Sequence, residues 1–131
     1  MIKADNKILA LVSHLFFISR IEAAAAKAES EIRWLESASQ CDNFPAYLLD
    51  FKPNLVLVDL NLEQIPWKIW ITEAKQNPQT QDIPVVMYGS HKDVELMKTA
   101  KQTGADKVVA KSRFVEILTD LLDEYTPSSE N

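Results

Sequence analysis

The sequence predicts an α/β fold, a parallel sheet with helices on both faces, and three observations carry the prediction. Short apolar runs alternate with longer amphipathic stretches five times along the chain. One of those runs, "LVLV" from Leu55 to Val58, is apolar at every position, as a strand buried on both faces must be. Pro53, Pro66 and Gly104 mark points where stretches stop or start. Strict strand–helix alternation of this kind implies parallel pairing and a doubly wound, three-layer (βα)5 sandwich.

Each element has its own reason. "KILALV", Lys7 to Val12, is a short apolar run and reads as a buried strand. The alanine-rich "FFISRIEAAAAKAES" places Phe17, Ile21, Ala24, Ala25 and Ala28 at helical spacing. "EIRWLE", Glu31 to Glu36, alternates apolar and charged residues and reads as an edge strand, the alternative being a continuation of the first helix. "NFPAYLLDFKP" is a short helix that stops by Lys52, because Pro53 disfavours a helical residue before it. Leu55 to Val58 follows as a strand with Asp59 at its end. "PWKIWITEAKQN" opens on Pro66 in the first turn and carries Trp67, Trp70, Ile71 and Ala74 on one stripe. "IPVVMY" is a strand. Ser90 and Asp93 have the S-x-x-D spacing of a capping box opening "DVELMKTAKQT", which Gly104 ends as the residue after the cap. "DKVVA" is the last strand, and "SRFVEILTDLLDEY" the last helix, with Ser112 as its expected N-cap.

Composition narrows the function. A chain of 131 residues fits one domain, expected over 1–125, with 126–131 ("TPSSEN") as a disordered polar tail. A net charge of −5 argues against a nucleic-acid binder, which would carry a basic patch. The single cysteine, Cys41, excludes an internal disulfide and suits a reducing compartment. No apolar run approaches the roughly 18 residues of a membrane span, and "MIKADNK" lacks the apolar core of a signal peptide. The expectation is a cytoplasmic protein without membrane or nucleic-acid partners. Two glycines, Gly89 and Gly104, are too few for a Walker loop or a dinucleotide fingerprint.

In a doubly wound sheet, ligand chemistry collects outside the carboxyl ends of the strands. Ser13 and His14, Asp59, Gly89 to His91, and Lys111 fall there. An acid at the edge of a core needs a reason, and the residues offer two. Asp59 and Lys111, at neighbouring strand ends, can form an ion pair that lowers the cost of partial burial for each. The only two histidines, His14 and His91, flank Asp59 in the order of the strands and would form a two-histidine, one-carboxylate metal set. Lys111, competing for Asp59, opposes that set.

Three signatures, "KPNLVLVDL", "NPQTQDIPVVM" and "TGADKVVAKS", in this order over residues 5–125, resemble the CheY-like receiver domain of bacterial response regulators. The resemblance implies the flavodoxin/CheY-like fold with strand order 2-1-3-4-5, and it places Asp59 on the phosphoacceptor and Lys111 on the lysine that contacts the phosphoryl group. The rest of that machinery is replaced. The acidic pair after the first strand is Ser13 and His14. The hydroxyl residue ending the fourth strand is Gly89, with Ser90 one place late. The aromatic switch residue is Val108, and the proline after the lysine is Ser112. The resemblance is therefore to a divergent, pseudo-receiver subgroup.

Magnesium, the cofactor of aspartyl phosphorylation, prefers oxygen ligands in octahedral geometry, carboxylates above all. Serine and histidine replace two of them poorly, so no cofactor is expected unless Asp59 is a working phosphoacceptor. The reading is a stand-alone receiver, not an enzyme, acting by protein–protein interaction. Its partner is a histidine kinase or effector, or a second copy docked through the fourth helix, fifth strand and fifth helix. The alternatives are a functional phosphoacceptor of a two-component phosphorelay, with magnesium, and a metal-binding sensor.

Overall fold

The computed structural model describes residues 5–126. Five strands and five α-helices alternate: β1 (Lys7–Leu11), α1 (Leu15–Lys27), β2 (Glu31–Trp34), α2 (Phe44–Phe51), β3 (Leu55–Asp59), α3 (Trp67–Gln76), β4 (Val85–Gly89), α4 (Val94–Gln102), β5 (Lys107–Ala110) and α5 (Lys111–Tyr125). One 3-10 turn, Ala38–Gln40, lies between β2 and α2. All pairings are parallel, in the order β2-β1-β3-β4-β5. Glu31 to Trp34 pairs with β1 as an edge strand, so the first helix does not run through it.

The two faces of the sheet bury separate sets of residues, as the period of two along a strand requires. Ile8, Ala10, Leu55, Leu57, Val86 and Tyr88 face α1 and α5, where Phe17, Ile21, Phe114 and Leu118 meet them. Leu9, Leu11, Val56, Val58, Val85 and Met87 face α2, α3 and α4. The stripe Trp67, Trp70, Ile71 and Ala74 is the buried face of α3, and Trp70 stacks on Phe44 of α2 with ring centroids 5.0 Å apart. β3 and β4 are buried at every position because both faces are covered, whereas the edge strands β2 and β5 are largely half-exposed.

Helix boundaries follow local chemistry. Asn43 caps α2 by accepting from the Ala46 N–H, and Lys52 ends it in a left-handed conformation (φ 58°) directly before Pro53. Gly104 takes φ 93° after α4, as a residue following a helix cap must. Two expected caps are corrected. Asp93, not Ser90, is the N-cap of α4, its carboxylate accepting from the Leu96 N–H at 3.0 Å. Ser90 instead accepts from the Lys92 N–H in the preceding turn. Ser112 lies inside α5, whose first residue is Lys111 and whose N-cap is Ala110, because β5 passes into the helix with no intervening loop. Thr126, expected in the tail, is buried and donates its hydroxyl to the Leu122 carbonyl. The remainder of the expected tail, 127–131, lies outside the described residues.

Candidate functional site

Parallel pairing carries the carboxyl ends of β1, β3, β4 and β5 to one edge of the sheet, and with them Ser13, His14, Asp59, Gly89, Ser90 and Lys111. Asp59 closes β3 and is 5% exposed. Its Oδ1 accepts from the Asn61 N–H at 2.9 Å, a local side-chain-to-backbone turn that bends the chain away from the sheet. No other hydrogen bond of acceptable geometry reaches the carboxylate among the described residues, although the Tyr88 hydroxyl lies close enough to feel its charge.

The expected ion pair is absent. Neither Asp59 nor Lys111 takes part in a salt bridge among the described residues. Lys111 is half-buried and opens α5, which follows β5 with no intervening loop. Nor are His14, Asp59 and His91 gathered into one set of ligands. No group of three or more His, Cys, Asp or Glu side chains able to hold an ion exists among the described residues. His91 is exposed in the turn before α4 and lines a shallow cavity with Val94, Met97, Lys98 and Lys101. His14 is exposed and already employed as the N-cap of α1, its Nδ1 accepting from the Phe16 N–H at 3.3 Å.

These placements also decide the fit of magnesium. One carboxylate, an exposed serine and a histidine committed to a helix cap are not the oxygen set that a hard divalent cation requires. The residues present do not fit the ion.

A side chain at position 89 would press on Leu60. A Cβ built there would lie 3.0 Å from Leu60 Cδ1 and 3.2 Å from Leu60 Cβ. Leu60, 4% exposed, occupies the space a side chain at position 89 would enter. Ser90 is half-buried, with its hydroxyl held in the turn to Lys92.

Sequence reasoning missed Tyr88. It lies opposite Asp59 in the β3–β4 register, is fully buried, stacks on Phe114 of α5 at 4.1 Å, and meets Phe17 of α1 in a tilted contact at 4.7 Å. Burial raises its pKa, and the nearby Asp59 charge and hydrogen-bonding reach add to the shift, so the phenol is held protonated. Its hydroxyl nevertheless makes no hydrogen bond of acceptable geometry, the one buried side-chain polar atom in that position among the described residues. The available signal was a tyrosine in the fully apolar "VVMY" run, where a phenylalanine would have left no donor to satisfy. Phe16 and Phe17 divide as adjacent helical residues must. Phe17 is buried, while Phe16 is 45% exposed, with the Arg20 guanidinium 4.6 Å from its ring centroid.

A five-stranded parallel sheet in this order, with helices on both faces, is the flavodoxin/CheY-like fold. No family model matches the sequence. Among curated proteins the chain is similar to the response regulator Rcp1 of Synechocystis sp., 26% identical over 122 residues, which cover 88% of this chain and 75% of Rcp1. Among solved structures it resembles the phosphorylated cyanobacterial phytochrome response regulator RcpA, with a TM-score of 0.74 and 20% identity over 95% of this chain and 96% of that one. It also resembles the receiver domain of the sensor histidine kinase PA1611 of Pseudomonas aeruginosa PAO1, which has magnesium coordinated in its active-site cleft. There the TM-score is 0.74 at 15% identity, over 94% and 98% of the two chains.

Proposed function

We propose that this receiver domain acts in bacterial two-component signalling, in the cytoplasm, by associating with another signalling protein, and that magnesium-dependent phosphorylation of Asp59 is not its switch. The observation that carries this reading is the isolation of Asp59: it is the only carboxylate among the strand-end residues of the site, and nothing beside it replaces the missing acids. An aspartyl phosphate would bring about two negative charges to that edge. Lys111 is the one formal positive charge among the strand-end residues, and it is not paired with Asp59. The space at Gly89, where a hydroxyl would contact such a group, is crowded by Leu60.

A second reading, in which Asp59 is a working phosphoacceptor, has one observation in its favour: the carboxylate closes β3 at the strand-end edge and no cation among the described residues pairs with it. One experiment separates the two. The protein is incubated with acetyl phosphate or beryllofluoride and millimolar Mg²⁺ at neutral pH, then followed by intact mass, tryptophan fluorescence and oligomeric state. The expected result is no change in any of the three. Stoichiometric phosphorylation of the unmodified protein establishes the second reading in place of the first.

A further inference from the structure

We propose that the Tyr88 phenol is the hydrogen-bonding partner of Asp59, a positioning residue that holds the carboxylate where Lys111 does not reach it. The proposal deepens the reading of the site given above and concerns only this chain's own groups.

Two complementary deficits lie side by side. Asp59 is 5% exposed and receives one N–H, from Asn61, on Oδ1 alone. Tyr88 is fully buried and its hydroxyl has no acceptor. The two residues are direct partners in the β3–β4 register. Alternation along each strand puts them on the same face of the sheet, Asp59 continuing Leu55 and Leu57, and Tyr88 continuing Val86. Burial and the Asp59 charge both favour the protonated phenol, which is the form able to donate. A donor and an acceptor so placed in a low-dielectric setting have no better partners than each other, and leaving both unmet is costly.

The phenol is also fixed from below. Its ring stacks on Phe114 of α5, with an interplanar angle of 18°, and packs against Phe17 of α1. Phe17 in turn meets His14 edge-on at 5.8 Å and Phe16 at 5.1 Å. A hydrogen bond from Tyr88 therefore ties the Asp59 carboxylate to the two helices on one side of the sheet, through a continuous set of rings. The aromatic residue missing at Val108 on β5 is not the route in this chain.

The test is a double-mutant cycle on the full chain, with Tyr88→Phe and Asp59→Ala, read by urea unfolding. Tyr88→Phe keeps the ring and its stacking. It should raise the unfolding equilibrium constant about tenfold or more, as expected for a lost bond to a charged acceptor. In the Asp59→Ala background the same change should leave that constant unaltered or lower it, because the hydroxyl then has no partner to lose. The tyrosine ring-mode doublet in ultraviolet resonance Raman, which reports whether a phenol donates, should shift on Asp59→Ala with the fold intact. If Tyr88→Phe is neutral or stabilising in the unmodified protein, or costs the same in both backgrounds, the proposal is overturned. This outcome is independent of the acetyl phosphate experiment, which tests the reading of the site and not the bond.

Discussion

Lys75 offers the sharpest stability test. It lies near the end of α3, its side chain 10% exposed, and its ammonium donates to the Gln81 carbonyl at 2.9 Å, the Ile83 carbonyl at 2.8 Å and Asp106 Oδ2 at 2.8 Å. Asp106 also accepts from the Val85 N–H at 2.7 Å, so one pair of charges joins the end of α3, the start of β4 and the start of β5. Lys75→Met preserves the apolar stem and removes the donor. Loss of the Ile83 bond, part-buried and made to a charged group, costs about 1.5–3 kcal/mol. The Gln81 bond is exposed and water replaces most of it. The Asp106 side chain is 42% exposed, so its share is held to the range of a surface pair, about 0.2–1 kcal/mol. The expected loss is then about 2–4 kcal/mol, or roughly 6–15 °C in Tm for a domain of this size. Circular dichroism on heating and urea unfolding with an unchanged m value measure it. A loss below about 0.5 kcal/mol, the range of an ordinary surface change, would refute the reasoning.

Three further outcomes follow from the site. Lys111→Met should change stability by no more than about 0.5 kcal/mol in urea unfolding, as for a charge without a partner; a loss matching that of Asp59→Ala would restore the ion pair. Gly89→Ser should cost about 1–3 kcal/mol by overpacking against Leu60, and Leu60→Val in the same chain should recover part of it, a non-additivity read from the same unfolding curves. Because the folded pKa of Tyr88 lies above its unfolded value, its contribution to stability is complete below about pH 10 and declines as pH rises beyond it. Thermal unfolding across alkaline pH should therefore show a loss that Tyr88→Phe reduces.

The fold was legible because it rests on periodicities. Trp67, Trp70, Ile71 and Ala74 were read as one stripe and form the buried face of α3. The Lys52–Pro53 boundary was legible because proline restricts the residue before it. What was misread turned on single-residue offsets. S-x-x-D at Ser90 and Asp93 satisfies the spacing of a capping box, yet the helix begins one residue after Asp93, and spacing alone does not choose between the two caps. Lys75 and Asp106 are 31 residues apart and each looks like an ordinary surface charge, so nothing local marks their meeting.

The site shows the same division more strongly, because its chemistry depends on which groups meet and not on which groups exist. Asp59, Lys111, Ser13, His14 and Gly89 were all placed at the right edge by strand order alone. Their pairing was not, since it depends on where β5 yields to α5, and that junction falls on Lys111 itself. Once Lys111 is removed from Asp59, the other differences fit together. A glycine at position 89 leaves room for the Leu60 side chain beside it. Asp59, at the end of β3, is 5% exposed and has one backbone donor. A buried carboxylate with an unmet oxygen needs a neutral or cationic donor that needs no water. Of the residues facing it across the register, Tyr88 is the one that carries such a group.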